Sequence, residues 1–326
     1  MRRFSPGYLL ASYGARRSYT RPPAVAGGLP ALPALEVALN LIQALNTYLW
    51  VWLETFRGLR RAAVVVPFLL FAVLELLALW TSAHFYQRPW GWLWIPLLDG
   101  YPGPAATHYP GYFLALPALT SRLDLVLGSL IGSIAFGWGI LLFRGSFVEG
   151  RGAAGEGLRR AWARALPLIG IGVVAGAATV LLGNLLSWLG TNVLASLLGG
   201  APLRQFAAQF LLNVLVQAAL LYVPLALLLS GRGFRGAFSD GLGFFWQHRV
   251  MSLAVVVLPF LLLVPVSVAV NRPVLIATKF RPELLFTLCA LNLGIAGVVN
   301  LLMTGAAVRF FLYRTRQDRP AVPQGA

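Results

Sequence analysis

Glu75 interrupts the apolar run AVVVPFLLFAVLELLALW, residues 63–80, and a carboxyl in hydrocarbon demands a partner, a proton or water. It reads as the only acid well inside such a run. Gln205, Gln209, Asn213 and Gln217 recur at four-residue steps, which places their amides on one helical face. Asn292, Asn300 and Thr304 mark one face of a later run. An amide can both donate to and accept from a carboxyl. Glu75, Gln209, Asn213, Gln217, Asn292 and Asn300 are therefore the candidates for an intramembrane polar core. At 1.5 Å per helical residue, Glu75 falls ~20 Å along its run, and Gln209 and Asn292, counted from the opposite side, reach a matching level. Such a layer either bonds helices together, at ~0.6 kcal/mol per contact, or lines a polar path.

Other chemistry finds no support in the spacing. His84, His108 and His248 are dispersed, and neither they nor Asp99 supply the three or four converging ligands that a metal needs. There is no Gly-x-Ser-x-Gly elbow, and hydroxyls inside the apolar runs have no histidine within sequence reach. Gly150, Gly152, Gly155 and Gly157 lie in a charged loop with no strand before them, so they read as turn residues and not as a phosphate cradle. Cys289, the single cysteine, can form neither an intrachain disulfide nor a cysteine cluster. The expectation is a protein with no catalytic set, no cofactor and no metal.

The elements that position these residues follow from composition. Of 326 residues, 58% are hydrophobic and 11% charged, too little polar surface for a water-soluble fold, where about a quarter are charged. The apolar residues lie in blocks of about 20, the length that crosses a ~30 Å hydrocarbon core. The fold class is an all-α integral membrane protein with six transmembrane helices, at about 62–82, 123–143, 165–188, 205–229, 252–270 and 284–307. These form one domain over 34–312, between flexible tails at 1–33, basic and Pro-rich, and 313–326.

The net charge of +16 sits at the block ends, which argues against nucleic acid. Of the 26 Lys and Arg, all but Arg88, Arg122, Arg204, Arg272, Lys279 and Arg281 fall in alternate connections and the tails. The positive-inside rule then puts both termini in the cytoplasm of a bacterial inner membrane. Outer loops are expected near 83–122, 189–204 and 271–283. The first of them, rich in Trp, Tyr and Phe, reads as an aromatic cap at the headgroup level.

Internal repetition organises the chain further. Glu156-Gly157-Leu158 and Trp162 return 84 residues later as Asp240-Gly241-Leu242 and Trp246. Residues 63–70, AVVVPFLL, return as AVVVLPFLL at 254–262. The pattern predicts three hairpins, each preceded by an amphipathic helix on the cytoplasmic surface, the first of these over 34–61. Arg159, Arg160, Trp162, Trp246 and Arg249 are its candidate surface residues. Small residues at four-residue steps, among them Gly128 and Gly132, and Gly172 and Gly176, allow close helix packing or a homodimer face.

The stretches GEGLRRAWARALPLIGIG (155–172) and GAFSDGLGFFWQHRVMSLAVVVLPFLLL (236–263) resemble bacterial six-span families. The nearest in style is the membrane domain joined to some glycerophosphodiester phosphodiesterases. The resemblance implies fold and bilayer location over most of 34–312. The phosphodiesterase activity does not carry over, since no such domain follows Arg319. The same stretches are similar in outline to coupling loops of ATP-binding-cassette permeases, although Gly157 precedes Pro167 by 10 residues and Gly241 precedes Pro259 by 18. Taken together, the sequence predicts a non-enzymatic multi-pass protein. Its expected partners are membrane lipids, through anionic headgroups, and a second protein or a second copy. The alternative is a secondary transporter or permease subunit with an intramembrane polar pathway.

Overall fold

The computed structural model describes residues 33–100, 103–148, 154–189 and 202–317, and every regular element among them is helical. The expected tails at 1–32 and 318–326 lie outside the described residues. Five helices are long and apolar enough to cross a membrane: Ala62–Ala83, Gly111–Val148, Ala165–Leu185, Phe210–Leu229 and Leu284–Thr315. A sixth crossing arises if Phe234–Gln247 and Arg249–Phe260, bent by 92°, act as one. These lengths fit a membrane-embedded helical protein.

Helix α1 (Pro33–Leu59) opens the chain, and Leu41, Ile42 and Leu45 of its first part are exposed. From Asn46 onward the chain forms a separate compact unit. In it, α2 (Ala62–Ala83) is followed by α3 (Trp90–Gly100), α4 (Gly111–Leu127), a π turn (Gly128–Gly132) and α5 (Ser133–Val148). Then come α6 (Ala154–Trp162), α7 (Ala165–Leu189), α8 (Pro202–Leu220), α9 (Tyr222–Leu229) and α10 (Phe234–Gln247). The chain continues through α11 (Arg249–Phe260), α12 (Val264–Val270), α13 (Pro273–Lys279) and α14 (Leu284–Gln317).

Two expected spans need correction. The second does not begin at 123: the helix starts at Gly111 and runs through Pro117, Arg122 and Asp124 to Val148. Charges end a hydropathy window, but they do not end a helix. The fifth is not one helix over 252–270, because residues 261–263 divide α11 from α12. Pro265 stands at the start of α12, and a proline ring clashes with the carbonyl four residues earlier, here that of Leu261. Pro224 acts likewise on Leu220, where α8 gives way to α9.

The aromatic segment after α2 is largely helical and not a loop. Trp94 and Leu98 of α3 are buried with Leu79, Tyr112 and Leu116, while Trp92 is exposed. Residues 190–201 of the second expected outer loop lie outside the described residues, and the third contains α13.

In the bundle, α5, α9 and α14 touch one another at the centre. Phe68 of α2 fills the space that a side chain at Gly139 of α5 would need. Three side chains that lie before expected spans reach a helix distant in sequence. Arg61 donates to Ser146 O at 2.6 Å and Oγ at 3.0 Å, capping α5. Arg164 donates to Leu227 O of α9 at 3.2 Å. His248 sets its ring edge-on to Phe310 of α14, centroids 5.7 Å apart. A cation at a helix C-terminus meets orphan carbonyls and the negative end of the dipole, so the first two contacts are favourable on both counts.

Three helices that precede these junctions pack in a related way. Gly157 of α6 faces Trp138 of α5, and the Trp138 indole donates to Ala154 O at 3.0 Å. Gly241 of α10 lies against the backbone of Tyr222 and Val223 in α9. Buried Thr55 of α1 meets Gly305 of α14. There Arg309 pairs with Glu54 at 3.5 Å and stacks 4.3 Å over the Trp50 ring.

Candidate functional site

Glu75 projects from α2 into the bundle and is 5% exposed. It lines one cleft together with Asp124 of α4, an acid that sequence reading places at the edge of a span. That expectation is corrected by the helix start: Asp124 lies 13 residues beyond Gly111, deep in a continuous helix. Two carboxyls that line one small cleft are compatible when one of them carries a proton. Two charged carboxylates so placed would repel in a medium that screens little.

The pair sits in a cleft of about 190 Å³, open mouth included. Leu79 of α2 and Leu293 of α14 form two walls, with Leu123 and Leu127 of α4 on the third side. Asp124 stands exposed at the mouth, while Glu75 Oε1 has no hydrogen-bond partner among the described residues. Thr120 also lines the cleft, and its hydroxyl proton goes to Leu116 O at 2.9 Å, leaving oxygen lone pairs toward the site. Among the described residues, neither acid is in an ion pair.

Asp124 follows Leu116 and Thr120 at four-residue steps on one face of α4, and the π turn re-aims the helix only beyond it. A π turn carries one extra residue, and one residue is about 100° of rotation in an α-helix. Before it, Leu116 and Thr120 face α2 and α14, with Thr120 Oγ1 3.9 Å from Cys289 Sγ. Within and just after it, Ser129 and Ser133 meet Gly172 and Gly176 of α7, where any side chain would strike Ser129. Glycine is needed here for close approach.

Among the described side chains, no amide lines this cleft. Leu293 lines it, so the neighbouring Asn292 is at the matching level, but Asn292 Oδ1 accepts from Ser267 Oγ of α12 at 3.2 Å instead. The Gln209 side chain lies outside the described residues. Asn213 and Asn300 are half-buried, Gln217 is exposed, and Asn300 O accepts from Thr304 Oγ1 at 2.6 Å. At the arginine-rich end, Arg159 and Arg249 are exposed and Arg160 pairs with Glu156 at 2.5 Å. Trp162 and Trp246 are 67% and 66% exposed.

No group of three or more His, Cys, Asp or Glu among the described residues is arranged to hold a metal ion. The site therefore offers proton exchange and recognition of a positive charge, performed by two carboxyls in an apolar wall. Set against family models, curated proteins and solved structures, the chain matches none of them.

Proposed function

We propose that this chain is a non-enzymatic multi-pass component of a bacterial inner membrane, built as three hairpins, which engages anionic lipid headgroups through its arginine-rich end. The observation that carries this reading is the set of equivalent junctions at one end of the bundle. Arg61, Arg164 and His248 each close their own hairpin, and α6 and α10 seat a glycine 84 residues apart on the preceding span. With those side chains used internally, Arg159, Arg235 and Arg249 remain exposed beside Trp162 and Trp246. Indoles favour the headgroup level, and each basic residue near an anionic surface contributes about 1 kcal/mol. In this reading the arginine-rich end faces the cytoplasm, as the positive-inside rule requires.

Thermal unfolding in mild detergent tests this. Added phosphatidylglycerol should raise the midpoint of the full chain more than phosphatidylcholine does, and Arg159→Ala/Arg160→Ala/Arg249→Ala should remove the difference. Equal effects of the two lipids would count against the headgroup reading.

A second reading, transport, is favoured by one specific observation: the carboxyl pair between α2 and α4. An ionisable pair at membrane depth is the usual mark of a proton or substrate path. In sealed proteoliposomes under a pH gradient, proton movement abolished by Glu75→Gln would support it, and movement unchanged by that variant would remove it.

A further inference from the structure

We infer that Glu75 and Asp124 form a binding site for a primary ammonium group carried on an apolar stem, reached from the lipid-facing side of the bundle. The inference rests on the transport reading for its biological use, but binding itself requires only the cleft. Two observations lead to it. The first is that Glu75 and Asp124 line one cleft and that neither is in an ion pair among the described residues. The second is Glu75 Oε1, which belongs to a side chain more than nine-tenths buried, lines the cleft, and has no partner. A buried acceptor left unmade is costly, and a group that supplies a donor recovers that cost.

Geometry then selects the donor. An alkylammonium has three N–H groups and no acceptor. The cleft offers three acceptors: the Glu75 carboxyl, the Asp124 carboxyl and the Thr120 hydroxyl oxygen, whose own proton is already given to Leu116 O. The inner part of the cleft holds about one water-sized group, which suits a single ammonium head. Beyond Asp124 the walls are Leu123, Leu127 and Leu293, so a stem leaving the head runs along leucine toward the exposed face of α4.

The charge balance is simple. As the ammonium arrives, the proton shared by the two carboxyls leaves to solvent. The site then holds two carboxylates around one cation in place of two carboxyls around one proton. No covalent bond forms or breaks.

The experiment is equilibrium binding of radiolabelled dodecylamine to the detergent-purified full chain, with dodecanol, butylamine and sodium chloride as competitors. Saturable binding at one site is expected, displaced weakly by butylamine and not by dodecanol or sodium. Glu75→Gln and Asp124→Asn should each weaken it at least tenfold. Because either variant could fail to fold, Leu127→Trp, which narrows the mouth and leaves both acids intact, is measured beside them and should also weaken binding. Equal displacement by dodecanol would show an apolar groove only, and displacement by sodium an inorganic cation site. Either result, absence of saturable binding, or unchanged affinity in the folded variants would overturn the inference. Proton movement in proteoliposomes is read separately, so the ammonium site can fail while the transport reading stands, and the reverse.

Discussion

A carboxyl surrounded by leucine announces itself in a sequence, because no surface role competes for it, and so Glu75 is legible from its apolar run alone. Asp124 is not. Arg122, two residues earlier, makes the pair look like the charged rim of a span, and only the helix start at Gly111 puts Asp124 at depth. The four-residue spacing of the glutamines identifies a helical face, but spacing carries no information about which neighbour that face meets. Asn292 therefore matches the depth of Glu75 and bonds Ser267. Outside the spans, Tyr48 offers a titration that can be checked. Its hydroxyl donates to Ala254 O at 3.3 Å, and burial raises its pKa above the ordinary tyrosine value, with Trp52 partly opposing the shift. A raised folded-state pKa favours the neutral phenol, so this stability is full below about pH 10 and is lost as pH rises through the folded value. Tyr48→Phe should cost about 0.5–1.5 kcal/mol at neutral pH. The gap between wild type and variant, followed by thermal unfolding, should shrink above about pH 10, and a gap that widens there would contradict the assignment.

At the level of helices, what can be read from sequence is amount, and what cannot is interruption. Apolar blocks of about 20 residues locate the crossings because hydrocarbon thickness sets their length. The breaks at Leu221 and 261–263 depend on prolines that, at Pro67 and Pro117, leave the helix continuous. A proline's effect turns on whether neighbours can satisfy the freed carbonyl, which is a tertiary fact. Glycines divide in the same way. In α10, a Cβ at Gly241 would come within 2.7 Å of the Val223 backbone, whereas Gly243 has nothing within 4 Å. Gly241→Ala should therefore cost about 1–3 kcal/mol by forcing α10 off α9. Gly243→Ala should gain about 0.5–1 kcal/mol from helix propensity. Gly157→Ala, whose nearest neighbour is the Trp138 ring at 3.2 Å, should fall between them. Scanning fluorimetry in one detergent ranks all three, and a Gly241→Ala protein as stable as wild type would refute the close seating of α10.

For the whole molecule, the distribution of arginine supplies an orientation, and the packing supplies places to test it. In a Cys289→Ser background, single cysteines at His108 and Gly155 are both on exposed positions, whereas Ala106 is buried and would report poorly. An impermeant maleimide on intact cells should label His108→Cys and spare Gly155→Cys, and the reverse pattern would invert the topology. The all-helical class and the crossings are legible at this scale because both follow from counting apolar residues. The way the helices close on one another is not, since it is made by contacts such as Thr55 with Gly305 that join residues 250 positions apart. That contact also sets a schedule. During synthesis α1 emerges long before α14, so Thr55, buried in the finished protein, lacks its contact with Gly305 until the last helix has been inserted. A chain stalled before Gly305 would leave that face of α1 bare, giving quality-control proteases a way to tell an unfinished bundle from a complete one.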